Sequence, residues 1–120
     1  MKSDSEKLYV KKVVPEAILP TRAHSDDAGL DLYAFENGAI APGGGFLART
    51  GIAIALPAGT VGLVADRSSM AKRGVKTSGG VIDSGYRGEI HIIFRNITTE
   101  EVRFERGERI AQLLILPCLT

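Results

Sequence analysis

Glycine and proline cut this chain into pieces too short for anything but strands. Pro15, Pro42-Gly43-Gly44-Gly45, Gly51, Pro57-Ala58-Gly59, Gly74, Gly79-Gly80, Gly85 and Gly107 fall between runs rich in β-branched and aromatic residues. Extended segments punctuated in this way, at a spacing of roughly 8 to 12 residues, pack as an antiparallel sandwich or barrel. Residues 8–14 carry Lys11 and Lys12 and stop at Pro15, the marks of an edge strand. Within 19–34, Leu30, Leu32 and Ala34 alternate with Asp31 and Tyr33, so Leu30 and Leu32 share one face and Asp31 takes the other. Residues 46–56 read as two short strands broken at Thr50-Gly51, and 61–65, 90–96, 102–105 and 110–116 complete the set. Val81-Ile82-Asp83, the turn residues Ser84-Gly85, and Tyr86-Arg87 read as a β-hairpin that places Asp83 beside Tyr86. One stretch breaks the β pattern: Ser68-Ser69-Met70-Ala71-Lys72-Arg73-Gly74 has the start, interior and stop of one or two helical turns. The expectation is an all-β protein with one short helix near residues 68–74. At 120 residues, the chain 1–120 is expected to form one domain.

A balance of 15 basic against 14 acidic residues gives no general signal for nucleic acid or membrane surfaces, so any anion site must be local. The single cysteine, Cys118, excludes an internal disulfide and a cysteine-based metal cluster, which fits a reducing compartment. Apolar runs fall far short of the ~18 residues that span a bilayer. The first residues, Met-Lys-Ser-Asp-Ser-Glu-Lys, carry no apolar leader. A cytoplasmic protein is expected.

Several polar groupings interrupt the β-rich sequence. Glycines at 79, 80, 85 and 88 leave the backbone around Asp83 and Tyr86 bare enough for a flat ligand to approach it, although an ordinary surface hairpin accounts for the same residues. Asp26, Asp27 and Asp31 put three carboxylates in six positions, a possible hard-cation site or a solvated loop. Asp66-Arg67-Ser68-Ser69 precedes the short helix; an arginine, two hydroxyls and free N–H groups make an anion site. Helix capping explains the serines equally well but not Arg67, because positive charge at a helix start is unfavourable. Gln112 stands alone among Ile110, Leu113 and Leu114 and needs a partner, from the backbone or from a ligand. Arg95-Asn96 reads as surface. Neither a serine nucleophile elbow nor a phosphate loop is present.

In order along the chain stand Ala28-Gly29-Leu30-Asp31-Leu32, then Arg67-Ser68-Ser69-Met70-Ala71 with Gly74, then Gly80-Val81-Ile82-Asp83 with Tyr86-Arg87-Gly88-Glu89, then Arg106-Gly107-Glu108-Arg109-Ile110-Ala111-Gln112-Leu113. Together they resemble four of the five motifs of the trimeric dUTP diphosphatase (dUTPase) family, over about ninety residues. The resemblance implies a jelly-roll-like fold, a homotrimer whose active sites each draw on more than one subunit, and Mg²⁺-dependent hydrolysis of dUTP to dUMP and pyrophosphate. It implies that Asp83 orients the attacking water and contacts the sugar hydroxyl. Tyr86 would pack under the deoxyribose and exclude a ribose 2′-hydroxyl. Arg67, Ser68, Ser69 and Gln112 would contact phosphates, the backbone of Gly80, Val81 and Ile82 would read uracil, and Asp31 would lie near the metal, through water.

The sequence departs from the family's pattern at two places. The fifth motif, a glycine-rich arm with an aromatic residue that closes over the nucleotide, has no counterpart up to Leu116-Pro117-Cys118-Leu119-Thr120, which carries an expectation of depressed turnover. Thr77 and Ser78 occupy a stretch that often holds asparagine in bacterial members. Two rival readings remain: a dUTP-binding trimer that is non-catalytic or regulatory, and dCTP deaminase. The deaminase needs a glutamate about ten residues past the aspartate, where this chain has Ile93.

Overall fold

The computed structural model describes residues 7–120; the charged start of the chain lies largely outside the described residues. The elements run β1 (Tyr9–Lys12), β2 (Leu30–Tyr33), β3 (Gly38–Ile40), β4 (Gly45–Ala55), β5 (Thr60–Asp66), α1 (Ser68–Lys72), β6 (Val75–Ser78), β7 (Val81–Ile82), β8 (Glu89–Asn96), β9 (Val102–Phe104) and β10 (Arg109–Pro117). They form one sheet in the order β1-β4-β8-β6, a second in the order β2-β10-β5-β7, and a two-stranded piece β3-β9. Every pairing is antiparallel. The all-β expectation with one short helix is met, and β1 sits on a sheet edge with Lys11 and Lys12 exposed.

Period-two alternation builds the core. In β8, Ile90, Ile92, Phe94 and Asn96 point inward while His91, Ile93 and Arg95 point out. Phe94 is fully buried and packs with Phe104, whose ring also meets Phe46 edge-to-face at 5.4 Å. Leu32, Ile40, Ile52, Met70, Ile110 and Leu113 complete the interior, so α1 enters the core through Met70 alone.

Three expectations are corrected. The hairpin over 79–89 does not form, because β7 pairs with β5 (Gly62 with Ile82, Leu63 with Val81) while β8 pairs with β4 and β6. The true hairpin is β6-β8, and residues 79–88 are its connection, which leaves one sheet to lend β7 to the other. Gly79 and Gly80, at φ 64° and 94°, turn that corner in a region closed to most side chains. Second, β4 is one strand with a bulge. Gly51 (φ 72°) carries the irregularity between Arg49 and Ala53, where Thr50 Oγ1 donates to Ile90 O at 2.6 Å and Gly51 N to the Glu89 carboxylate at 3.2 Å. Third, Asn96 is buried. Its Nδ2 donates to the Ile40 and Glu100 carbonyls at 2.9 and 2.8 Å, and its Oδ1 accepts from Thr98, because the inward register of Ile90 continues to it.

Candidate active site

The sequence-predicted residues other than Ser69 fall into two separate cavities that share no lining residue. The first, about 220 Å³, lies where the 79–88 connection crosses the sandwich and is lined by Gly80, Val81, Ile82, Asp83 and Tyr86, with Leu47, Val64, Glu89, Ile90, His91 and Ile93 around them. Its floor is backbone: Val64 N donates to Gly80 O at 2.8 Å, and a Cβ on Gly80 would lie 2.8 Å from Val64 O. Tyr86 N donates to Asp83 O at 3.0 Å, which closes the turn and brings both side chains to one rim. The Tyr86 hydroxyl donates to the Glu89 carbonyl at 2.9 Å. Arginine and lysine are absent from this lining, so the cavity offers apolar walls, bare peptide groups and carboxylates.

The second cavity, about 560 Å³, is lined by Gly29, Asp31, Asp66, Arg67, Ser68, Arg109 and Gln112, with loop residues 23, 27 and 28 and Ala71. Three elements meet there. Asp31 on β2 lies opposite Gln112 on β10, and β5 leads into Arg67 and α1. Arg67 Nε lies 3.3 Å from Asp31 Oδ1, its Nη1 donates to Ser69 Oγ at 2.9 Å, and Arg109 Nη1 stands 3.8 Å from Asp31 Oδ2. Arg67 thus occupies the N-cap position in extended backbone, without a side-chain cap, and Ser69 steadies its guanidinium. Gln112 Nε2 donates to Asp66 O at 2.8 Å, and its carboxamide lies flat against Gly29, where any Cβ would collide with it. The Asp66 carboxylate is itself engaged by Thr77 N at 2.5 Å. Two arginines, a hydroxyl and an amide form a compact place for an anion, with Asp31 held between the arginines.

The three-carboxylate grouping is not formed: Asp27 Oδ2 accepts from His24 N at 2.9 Å, Asp31 faces arginines, and no group of three metal-ligating side chains occurs among the described residues.

The dUTPase family model matches residues 15–120. The chain belongs to the dUTPase family. Its relatives include the deoxyuridine 5′-triphosphate nucleotidohydrolases of Corynebacterium diphtheriae, 48% identical over 96% of this chain and 80% of the relative, and of Corynebacterium jeikeium, 51% identical over 90% and 72%. A Staphylococcus bacteriophage 80alpha dUTPase mutant solved with dUpNHpp superposes at a TM-score of 0.90, with 29% identity, covering 95% of this chain and 92% of that one. A dUTPase mutant of phage phi11 of S. aureus, described for its structural Mg(II) ion, superposes at 0.88 with 26% identity and the same coverage. Such dUTPase neighbours bear out the fold class. Sequence reasoning quoted Arg109 and Glu89 within the motif segments but gave neither a role; the folded chain shows that Arg109 turns toward Asp31 and Glu89 toward Arg49.

Proposed function

We propose that this chain hydrolyses dUTP to dUMP and pyrophosphate by water attack on the α-phosphorus, with Asp83 orienting the water. The observation that carries the reading is the first cavity, where bare backbone at Gly80, the Asp83 carboxylate and the Tyr86 ring share one rim. Peptide groups of Gly80, Val81 and Ile82 suit the flat edge of uracil, and Tyr86 suits a deoxyribose face. An in-line displacement on phosphorus needs positioning and charge neutralisation, not a covalent nucleophile. A carboxylate at the rim holds the water and accepts its proton. Arg67, Ser68 and Gln112 take the phosphate oxygens, with Ser69 fixing Arg67.

Mg²⁺ fits this donor set in one way. Such an ion is typically held by one or two carboxylates plus substrate phosphates and water, and Asp31, which lines the anion cavity, would supply one hard oxygen ligand through water. The chemistry such an ion would supply there is neutralisation of phosphate charge.

The separation of the two cavities supports a homotrimer as the assembly that completes the site. The cavity with Asp83 has no arginine or lysine to neutralise phosphate, and the one with arginines lacks Asp83, Tyr86 and the Gly80 to Ile82 backbone. A site with both comes from apposed copies. A single cytoplasmic domain suits this reading; no described helix is long and apolar enough to cross a membrane.

Pyrophosphate release from dUTP with Mg²⁺, beside dCTP, dTTP and UTP, is the test, together with calorimetric titration of a non-hydrolysable dUTP analogue. Cleavage of dUTP alone is expected. Analogue binding without turnover would instead make the chain a binding or regulatory form, and neither binding nor turnover would overturn the assignment.

A further inference from the structure

Glu89 fastens the catalytic turn to the sheet at both of its ends. Its carboxylate is gripped by Arg49 through two bonds, Nε to Oε2 at 3.0 Å and Nη2 to Oε1 at 2.9 Å, and it also accepts from Gly51 N. Its backbone carbonyl accepts the Tyr86 hydroxyl. A fork-to-carboxylate pair fixes two planes at once, which a single contact does not. The Arg49 guanidinium is in turn stacked 4.9 Å above the Phe35 ring, and Phe35 N donates to Arg49 O, so the clamp rests on a rigid part of β4. The bulge at Gly51 contributes to the arrangement, because it interrupts the β4-β8 ladder between the Arg49–His91 and Ala53–Glu89 pairs and turns Gly51 N to the Glu89 carboxylate. Gly88 leaves room for it: a Cβ there would lie 2.6 Å from the Tyr86 hydroxyl, so a larger residue would push the ring off its present position against Glu89.

We propose that the Arg49–Glu89 pair is a positioning device that sets the tilt of the Tyr86 ring and thereby the rejection of ribonucleotides. The inference rests on the substrate reading above, in which that ring packs under the sugar. Neither residue touches the reacting atoms. Both act through one hydrogen bond, Tyr86 Oη to Glu89 O. With the clamp loosened, the ring gains freedom to make room for a 2′-hydroxyl, so discrimination falls while the peptide groups that read the base stay in place.

The test compares kcat/KM for dUTP with that for UTP in Glu89→Gln, in Arg49→Lys, which keeps the charge but loses the fork, and in Tyr86→Phe, which keeps the ring but loses the bond. Each is expected to lower the dUTP-to-UTP ratio about tenfold, the worth of about one hydrogen bond. Glu89→Gln combined with Tyr86→Phe should lower it no further than about twofold beyond either alone, since both changes cut the same link. An unchanged ratio in folded Glu89→Gln or Arg49→Lys overturns the proposal, as does full additivity of the double variant. Should Glu89→Gln fail to fold, Arg49→Lys and the exposed Tyr86 decide it. A wild-type protein that cleaves no dUTP overturns the substrate reading instead, which keeps the two failures distinct.

Discussion

The two cavities use opposite chemistry. Around Gly80 the wall is peptide backbone and apolar surface, held by a corner that only glycine turns; around Arg67 it is charged side chains tied across β2, β10 and the start of α1. A backbone-built wall has no substitute, because the peptide groups are aimed by the chain's path. A charge-built wall is more forgiving, because Arg67 and Arg109 both face Asp31 and each can partly cover for the other.

The sharpest way to break the contrast is Asp83→Asn. Loss of the carboxylate proposed to orient the water is expected to lower kcat by about 10²- to 10⁴-fold in a pyrophosphate-release assay, with the melting temperature nearly unchanged because Asp83 is exposed. In the other cavity, Arg67→Ala should cost about 10- to 100-fold in kcat/KM, the worth of charge-assisted hydrogen bonds, and the loss should shrink as salt rises. Mixing and reassembling the two variants joins both halves in one experiment. If each site takes Asp83 from one copy and Arg67 from another, about a quarter of the sites regain both, and activity returns to that fraction; no recovery would place both halves on one chain.

Smaller effects sharpen the distinction. Gly80→Ala forces a β-carbon into a left-handed conformation and against Val64 O, and should destabilise the fold by at least about 1–2 kcal/mol while raising KM for dUTP, read by thermal melting and steady-state kinetics. Arg109→Ala, an exposed partner at 3.8 Å, should cost under about 1 kcal/mol in stability. The smallest effect is the acid limb of stability. Hydrogen bonds from Arg49 hold the Glu89 carboxyl below its ordinary 4.5, against a burial that opposes them. A depressed folded value means that this stabilisation is full above the ordinary value and is lost as pH falls through the folded one. Melting temperature measured from pH 6 down to pH 3 should therefore fall less steeply in Glu89→Gln than in the wild type.

Local sequence showed which residues are extended, but not which strands they join. The alternation of Leu30 and Leu32 and the helix signals at Ser68 to Gly74 are short-range and read directly. That β7 chooses β5 over β8 is a long-range pairing with no local signature, and Gly79-Gly80 marked a turn without saying which way the chain would go. Asn96 was missed for a different reason: the inward register of Ile90, Ile92 and Phe94 extends to it, but a polar residue at the end of a run looks like its exit. Glu89 and Arg109 stood in the motif segments without a role because their partners, Arg49 and Asp31, are distant in sequence, and Asp27 and Asp31, close in sequence, take different partners.

The connection that lends β7 to the opposite sheet also fixes when the Asp83–Tyr86 rim comes into being. Residues 79–88 are anchored at both ends in one sheet and hydrogen-bonded in the middle to the other, so their native path exists only after both sheets have formed and met. A half-assembled intermediate therefore has no Asp83–Tyr86 rim, and the rim is gained and lost together with the cooperative unit of the whole sandwich. With Asp83 in its proposed role, an activity assay on this chain is also a report on complete folding.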